Sequence, residues 1–142
     1  MSTPAPAPAP EDPSAPFDPH AFPAALVAAQ RQAAELYAAL HALQATLPWS
    51  REPHPGWPDE TERGRERPGR PASPGWPADA AAEFDRLLEE LRAATAVVQC
   101  HKWWERCEAE GIRGADMVAA RQALKRAEGA VPLVREDVDA AA

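Results

Sequence analysis

The sequence predicts an all-α fold: a long antiparallel helical hairpin and a short C-terminal helix, with a disordered Pro-rich N-terminal tail and a long Pro/Gly/Trp-rich interhelical loop. Three observations predict it. Two long segments repeat apolar residues at helical spacing, and no strand is evident. Sixteen of the 17 prolines lie in two blocks, Pro4–Pro23 and Pro48–Pro77, where proline prevents a helix or a central strand from continuing. Gly111 and Gly129 follow the later helical segments as C-terminal caps.

Three regions follow from this pattern: an Ala/Pro-rich tail over residues 1–17, a helical domain over 18–129 and an acidic flexible tail over 130–142. The Ala-Pro repeats favour an extended, solvated polyproline-like arm. The PxxP spacing of Pro10, Pro13 and Pro16 also fits a proline-rich ligand for an aromatic groove, but the basic residues that flank such ligands are missing. Roughly 75 residues remain to build a core, near the lower limit for folding without staples, so we expect self-association or a partner to add stability.

The first helix is predicted from about residue 19 to residue 47. Asp18 and Pro19 suit an N-cap and a first turn, and Pro48 ends the helix. An unbroken apolar seam with spacings of four and three runs along it, which is typical of coiled-coil packing. The seam comprises Phe22, Leu26, Ala29, Ala33, Leu36, Leu40, Leu43 and Leu47. It predicts a partner helix along the whole element.

The connection over residues 48–77 is long for a compact domain, so it is either functional or disordered. The sequence PGWP at 55–58 recurs at 74–77, and Trp49 adds a third indole. Pro-Gly pairs mark turns, and each turn presents a tryptophan. One interpretation is that Trp49, Trp57 and Trp76 fold back over the open end of the helical pair. The other is that one or both turns dock a partner, because Trp is enriched in binding hot spots.

The second helix is predicted over about 78–110. Its apolar residues change face partway along, from the side of Phe84 and Leu91 to the nearly opposite side of Val97 and Cys107. A helix with two apolar faces has two neighbours, which we expect to be the first helix and either the C-terminal helix or another subunit. The sequence leaves open whether this helix is continuous through Val97.

The Trp103-Trp104 pair and a third helix over about 115–128 complete the domain. Adjacent helical residues point about 100° apart, so one short helix can hardly bury both rings. Trp104 shares a face with the cysteines and is expected in the core. Trp103 is therefore a candidate for partner binding, together with Trp57 and Trp76, unless the third helix or the folded-back loop covers it.

No catalytic, cofactor or metal site is predicted. All four serines lie in proline-rich segments that cannot hold a triad geometry, and no glycine-rich phosphate loop follows a strand. The i, i+4 pair of His101 and Glu105 is typical of a solvated surface contact. We therefore expect a non-enzymatic protein without a small-molecule substrate.

The two thiols do not suggest a site either. Cys100 and Cys107 stand about 10 Å apart along a helix, too far to share one tetrahedral zinc ion or a disulfide. One of them could bind zinc only with ligands from elsewhere, such as His41 or His54. We interpret both as small apolar residues that face the third helix.

Two functions remain open. The first is a protein-interaction, assembly or accessory module with a protein partner or a second copy. The second is a small DNA-binding regulator with a helix-turn-helix-like segment around 100–128, in which Arg121, Lys125 and Arg126 contact nucleic acid. The net charge of −7 argues against broad polyanion binding, so nucleic acid is the weaker hypothesis.

The location is expected to be the cytoplasm. The start MSTPAPAPAP has neither the basic nor the apolar region of a signal peptide. The longest apolar run, Phe22–Ala29, is too short to span a bilayer. The thiols should then stay reduced.

Overall fold

The computed structural model describes residues 15–132. It contains four helices, α1 Ala24–Ala45, α2 Ala78–Gln99, α3 Lys102–Ala109 and α4 Gly114–Leu124, and two strands, β1 Glu60–Glu62 and β2 Arg65–Arg67. The prediction of a mostly helical chain is confirmed. The expectation of no strand is wrong, because β1 and β2 pair in the interhelical connection. Most of the predicted N-terminal tail and of the acidic C-terminal tail lies outside the described residues.

α1 begins later than predicted. Pro23 holds the N-cap position with extended backbone (φ −59°, ψ 145°), and a residue before proline is disfavoured in the helical region, which excludes Phe22 from the helix. Asp18 caps a separate turn, in which its carboxylate accepts a hydrogen bond from the backbone N–H of His20 at 2.8 Å. The residues from 19 to 23 therefore form a bent entry segment.

The apolar seam of α1 is buried as its pattern predicts, and α1 packs along α2. All eight seam residues are buried or half-buried, and the most buried ones recur every seven positions, at Leu26, Ala33 and Leu40. The main core cluster joins side chains from all four helices. Its buried members are Leu26, Val98, Trp104, Cys107, Ala120 and Leu124.

The long helix predicted over 78–110 is in fact two helices, which corrects that prediction. α2 continues through Val97 but ends at Gln99, and the chain bends at Cys100 and His101. The Nδ1 atom of His101 caps α3 by accepting a hydrogen bond from the backbone N–H of Trp103 at 3.1 Å. The indole Nε1 of Trp104 donates to the Val98 carbonyl at 2.8 Å and so satisfies an acceptor at the end of α2. The bend brings Trp104 into the same core as α1.

α4 is shorter than the helix predicted over 115–128. It ends at Leu124, and residues 125–130 continue as turns rather than as helix. Ala130 is fully buried. Gly129 has a positive φ of 85° and lies against the side chain of Val27, so these turns close over the start of α1.

Candidate functional site

The proline-rich connection folds into a two-stranded antiparallel structure, called the arm below (residues 48–77). At its tip, Glu60 pairs with Arg67 and Glu62 with Arg65. Isolated bridges, His54 to Ser73 and Trp57 to Arg70, continue toward the helices. These pairs keep one register, so the whole connection behaves as a single hairpin.

The spacing of the pairs explains how so many prolines fit. Backbone pairs recur at every third residue, 54, 57 and 60 on one strand and 67, 70 and 73 on the other, whereas hydrogen-bonded pairs in a regular antiparallel ladder recur at every second residue. None of the eight prolines of the arm occupies one of these paired positions, so the missing N–H groups cost the ladder no hydrogen bond.

The two PGWP turns make equivalent contacts. In the first, Gly56 has a φ of 73° and its N–H donates to Nδ1 of His54 at 2.9 Å. In the second, Gly75 has a φ of 82° and its N–H donates to Oγ of Ser73 at 3.2 Å. A positive φ after proline is typical of a type II turn. The sequence repeat is therefore also a structural repeat.

Trp76 attaches the arm to α2. Its Nε1 donates to the Pro48 carbonyl at 2.8 Å, and its ring meets Phe84 edge-on with centroids 4.9 Å apart. The guanidinium of Arg51 lies 5.5 Å above the same ring and binds both carboxylate oxygens of Asp85 at 2.7 and 2.8 Å. The hydrogen bond from Arg51 lowers the pKa of Asp85. Trp76 thus folds back over the helical pair, as the first of the two interpretations expects.

Trp57 lies in a different environment, the aromatic cluster, formed by Trp49, His54 and Trp57. Trp49 and Trp57 meet edge-on, with ring centroids 5.4 Å apart and planes at 79°. His54 lies 5.0 Å from Trp49 and 5.8 Å from Trp57. The two tryptophans remain 36% and 44% exposed. Of the three candidate partner-binding tryptophans, Trp57 presents the most accessible ring.

The third candidate, Trp103, is half-buried. The chain before α1 covers it: Trp103 Nε1 donates to the Pro19 carbonyl at 3.2 Å, and the Phe17 ring lies 5.2 Å away. The guanidinium of Arg106 lies 5.3 Å above the Phe17 ring. The cover is thus the N-terminal entry segment, whereas the sequence suggested the third helix or the loop. Trp104 is 4% exposed and belongs to the core.

A second surface is an open groove of about 760 Å³ between α1, α2 and α4, called the groove below. Its buried floor is apolar and includes Ala33, Val98, Trp104 and Leu124. At its edge, Tyr37 is 56% exposed and Val118 is 58% exposed. Sequence reasoning missed this groove, because residues of α1, α2 and α4 line it together, and no local pattern brings these three helices to one surface. The sequence held one signal for it: Tyr37 and Val118 are large apolar residues that lie outside the predicted apolar faces of their helices.

Of the candidate nucleic-acid contacts, Arg121 lies in α4, whereas Lys125 and Arg126 lie in the turns that follow it. Arg121 lies in the groove with its guanidinium 4.5 Å above the ring of Trp104. Lys125 lies at the edge of the groove, and Arg126 is exposed. α3, a short turn and α4 reproduce a helix-turn-helix outline, but the first half of α4 carries Asp116 and no basic residue.

The remaining chemistry is sparse. Over residues 15–132, no three His, Cys, Asp or Glu side chains are grouped so that they could hold a metal ion. Cys100 is exposed and Cys107 is buried, and burial raises the pKa of the Cys107 thiol. None of the helices in this part of the chain combines the length and the apolar character needed to cross a membrane.

The comparisons with known proteins give one family match. The model of a domain of unknown function, DUF8825, matches residues 25–127, which include nearly all of α1, the arm and the other three helices. No curated protein matches the chain. No solved structure matches it either.

Proposed function

The chain belongs to the DUF8825 family of domains of unknown function, and we propose that it is a non-enzymatic protein-interaction or assembly module. The groove carries this proposal. Its apolar floor is open to solvent, and two exposed apolar side chains, Tyr37 and Val118, stand at its edge. Its occupant is a helix of a second copy or of a protein partner.

The arrangement of the helices supports a groove of this kind. Leu26, near the start of α1, shares the core cluster with Val98, near the end of α2. The arm joins the end of α1 to the start of α2. These contacts support an antiparallel hairpin. Such a hairpin has room for a further helix beside it, and α4, with 11 residues, is half as long as α1 and α2.

The size and chemistry of the groove suit an amphipathic helix. Its volume falls within the range of about 300–1,000 Å³ that is usual for binding sites. Burying one Leu or Val side chain contributes about 1.5–3 kcal/mol, so two or three anchors at helical spacing suffice for a specific contact. Gln30, Gln122 and Lys125 surround the apolar floor as a polar rim.

A reducing compartment belongs to the same proposal. Cys100 and Cys107 are both unpaired, and Cys100 is exposed to solvent. An exposed unpaired thiol is better suited to the cytoplasm than to an oxidising compartment. We therefore propose that the protein acts in the cytoplasm.

The test is the solution mass of three chains at several concentrations: wild type, Val118→Glu and Val97→Glu. Val97 is a matched control, because it is 56% exposed and does not line the groove. We expect a concentration-dependent dimer for wild type and for Val97→Glu, and a dissociation constant at least about tenfold weaker for Val118→Glu, since a buried charge costs more than 1.4 kcal/mol.

If wild type is a monomer at every concentration, the occupant is a different protein. A photo-crosslinking residue at position 118 should then capture one partner that the same residue at position 97 does not capture. The proposal is contradicted if substitutions at positions 118 and 97 change the dissociation constant equally and crosslinkers at the two positions capture the same proteins.

The DNA-binding hypothesis rests on the helix-turn-helix outline of α3 and α4. Its weakness is that the basic residues stand at the end of α4, whereas the start of a recognition helix usually contacts the bases. Duplex binding at low ionic strength that falls steeply with added salt would favour it, and its loss in Lys125→Ala/Arg126→Ala would assign the contact.

A further inference from the structure

We propose that the groove binds the chain's own residues 133–142, called the C-terminal segment below, and that this segment competes there with the partner helix. The segment has the sequence LVREDVDAAA. Leu133, Val134 and Val138 supply its apolar contacts. The competition rests on the proposed function, whereas the contact between the segment and the groove can be tested without it.

The described chain ends beside the groove. Lys125 lines the groove, and the turns that follow it bring Gly129 against the side chain of Val27. Gln30, the first groove residue of α1, lies three positions after Val27, which is about 4.5 Å along the helix. The described chain ends at Pro132, only three residues after Gly129. The C-terminal segment therefore starts close to one end of the groove.

The segment is long enough to follow the groove. On α1 the groove extends from Gln30 to Tyr37, and Tyr37 lies ten positions after Val27, about 15 Å along the helix. Ten residues span about 15 Å as a helix and about 33 Å when extended. Residues 130–132 displace the start of the segment from Gly129 by at most about 11 Å. Even a segment that starts on the far side of Val27 can therefore reach Tyr37.

The apolar side chains of the segment suit the floor of the groove. Val134 and Val138 are four positions apart, so they share one face of a helix, and Leu133 precedes them directly. Pro132 suits the first turn of such a helix. The floor offers a matching apolar surface of buried side chains, which includes Ala33, Val98, Trp104 and Leu124.

The charges are complementary. The charged residues that line the groove are Arg121 and Lys125, and both are basic. Neither forms an ion pair within residues 15–132. The segment carries three acidic residues and one arginine, a net charge of −2. The acidic residues are Glu136, Asp137 and Asp139. Opposite charges at the edge of an apolar contact favour this occupant over a basic or a neutral one.

The attachment of the segment makes it an effective competitor. A short tether holds a ligand at a millimolar effective concentration beside its site. A partner helix then finds only a fraction of the grooves free, and its apparent affinity falls by that fraction.

The test compares three full chains: wild type, Leu133→Ser/Val134→Ser/Val138→Ser, and a control with serine at positions 140, 141 and 142. Both variants keep the length and the charge of the segment. Tyr37 is the only tyrosine of the chain, so its ring signals in NMR spectra are unambiguous. We expect the first variant to shift the signals of Tyr37 and of the Val118 methyl groups, which lie at the groove. The Val97 signals should stay, and the control should resemble wild type.

The difference should persist on about hundredfold dilution, because the contact is intramolecular. Unchanged Tyr37 and Val118 signals overturn the proposal. An equal shift at Val97 also overturns it, since the substitutions would then act on the whole fold. A difference that vanishes on dilution assigns the groove to the segment of another copy and overturns the intramolecular contact.

A peptide of residues 133–142 gives a second readout. It should bind the first variant at least about tenfold more tightly than wild type, whose own segment competes. The matched peptide with serine at positions 133, 134 and 138 should not bind. Equal affinity of the peptide for the two chains overturns the proposal.

The solution mass separates this proposal from the proposed function. If the groove takes a second copy, the first variant should dimerise at least about tenfold more tightly than wild type. If no chain associates and position 118 captures no partner, the competition is overturned, and the Tyr37 shift still supports the contact. If wild type and the first variant associate equally and the Tyr37 signals agree, the contact is overturned and the proposed function stands.

Discussion

At the scale of single residues, the two cysteines lie seven positions apart in very different environments. Cys100 is exposed at the bend between α2 and α3, whereas Cys107 is completely buried in the core cluster. Burial raises the pKa of Cys107, because the thiolate loses its hydration there, and the nearby Arg121 offsets only part of this effect. The reactive species of a thiol is the thiolate.

We therefore predict that a thiol reagent modifies Cys100 in the native protein and leaves Cys107 unmodified until the core opens. The raised pKa of Cys107 leaves less thiolate at a given pH, and burial keeps the reagent away from it. Both effects slow the reaction of Cys107. The measurement is the time course of the reaction of the two cysteines with the reagent at pH 8. The Cys100→Ser variant should lose the fast phase completely. Two thiols that react at equal rates would show that the core around Cys107 is open.

The two neighbouring tryptophans show how far residue-level prediction extends. Helical periodicity placed Trp104 on the apolar face of the cysteines, and it is buried. The cover over Trp103 could not be predicted in the same way. It comes from Phe17 and from Pro19, which is 84 positions away in sequence. Periodicity identifies the face of a helix that needs a neighbour, but carries no information about which distant segment supplies it.

At the scale of elements, the arm depends on close approach between its two strands at glycine. A Cβ atom at Gly69 would overlap the Trp57 carbonyl oxygen and the backbone of Pro58. Gly69 has no positive φ, so crowding is the only obstacle to a side chain there. At Gly64, at the hairpin tip, there is space for a side chain, because nothing lies within 4 Å of its Cβ position. The obstacle there is the backbone conformation, since its φ is 77°.

We predict that Gly69→Ala separates the strands and that Gly64→Ala does not. The measurement is amide hydrogen exchange at Trp57 and Arg70, whose N–H groups donate across the arm at 3.0 and 2.9 Å. Gly69→Ala should reduce their protection by at least about tenfold, since the overlap costs more than 1.4 kcal/mol. Gly64→Ala should cost the left-handed conformation at the tip, about 1–2 kcal/mol. Local opening of the tip relieves that strain, so protection at the two amides further along the arm should be retained. Intact protection in Gly69→Ala would mean that the arm tolerates a wider spacing.

The elements divide into those that a local pattern determines and those that it does not. The seam of α1 is a local pattern, and its residues are buried or half-buried as predicted. No local pattern identifies the arm. Its prolines interrupt the alternation of apolar and polar residues by which strands are recognised, and its backbone pairs at 54, 57 and 60 recur at every third residue. The bend at Cys100 and His101 carries no helix-breaking residue. The bend is held by two hydrogen bonds, from the Trp103 N–H to His101 Nδ1 and from the Trp104 indole to the Val98 carbonyl, which apolar periodicity does not indicate.

At the scale of the whole molecule, different non-helical segments cover the two ends of the helical pair. The arm covers the start of α2 through Trp76 and Arg51. The entry segment before α1 covers the other end, where Phe17 contacts Trp103 and Phe22 meets the Trp104 ring edge-on at 6.4 Å. With so few residues in the core, such covers are a substantial part of the total stability.

The entry segment gives the last prediction. Phe17→Ala removes a half-buried ring that contacts both Trp103 and the guanidinium of Arg106. We expect a loss of about 1–2 kcal/mol in the free energy of unfolding, from lost apolar burial and a lost cation–π contact.

The measurements are urea unfolding and the emission of Trp103, which should shift to longer wavelength as its cover is lost. Val97→Ala, at a side chain that is 56% exposed, is the control and should stay within about 0.5 kcal/mol of wild type. If Phe17→Ala is equally neutral and Trp103 emission is unchanged, the entry segment does not contribute to the fold. The core must then be stable without this cover.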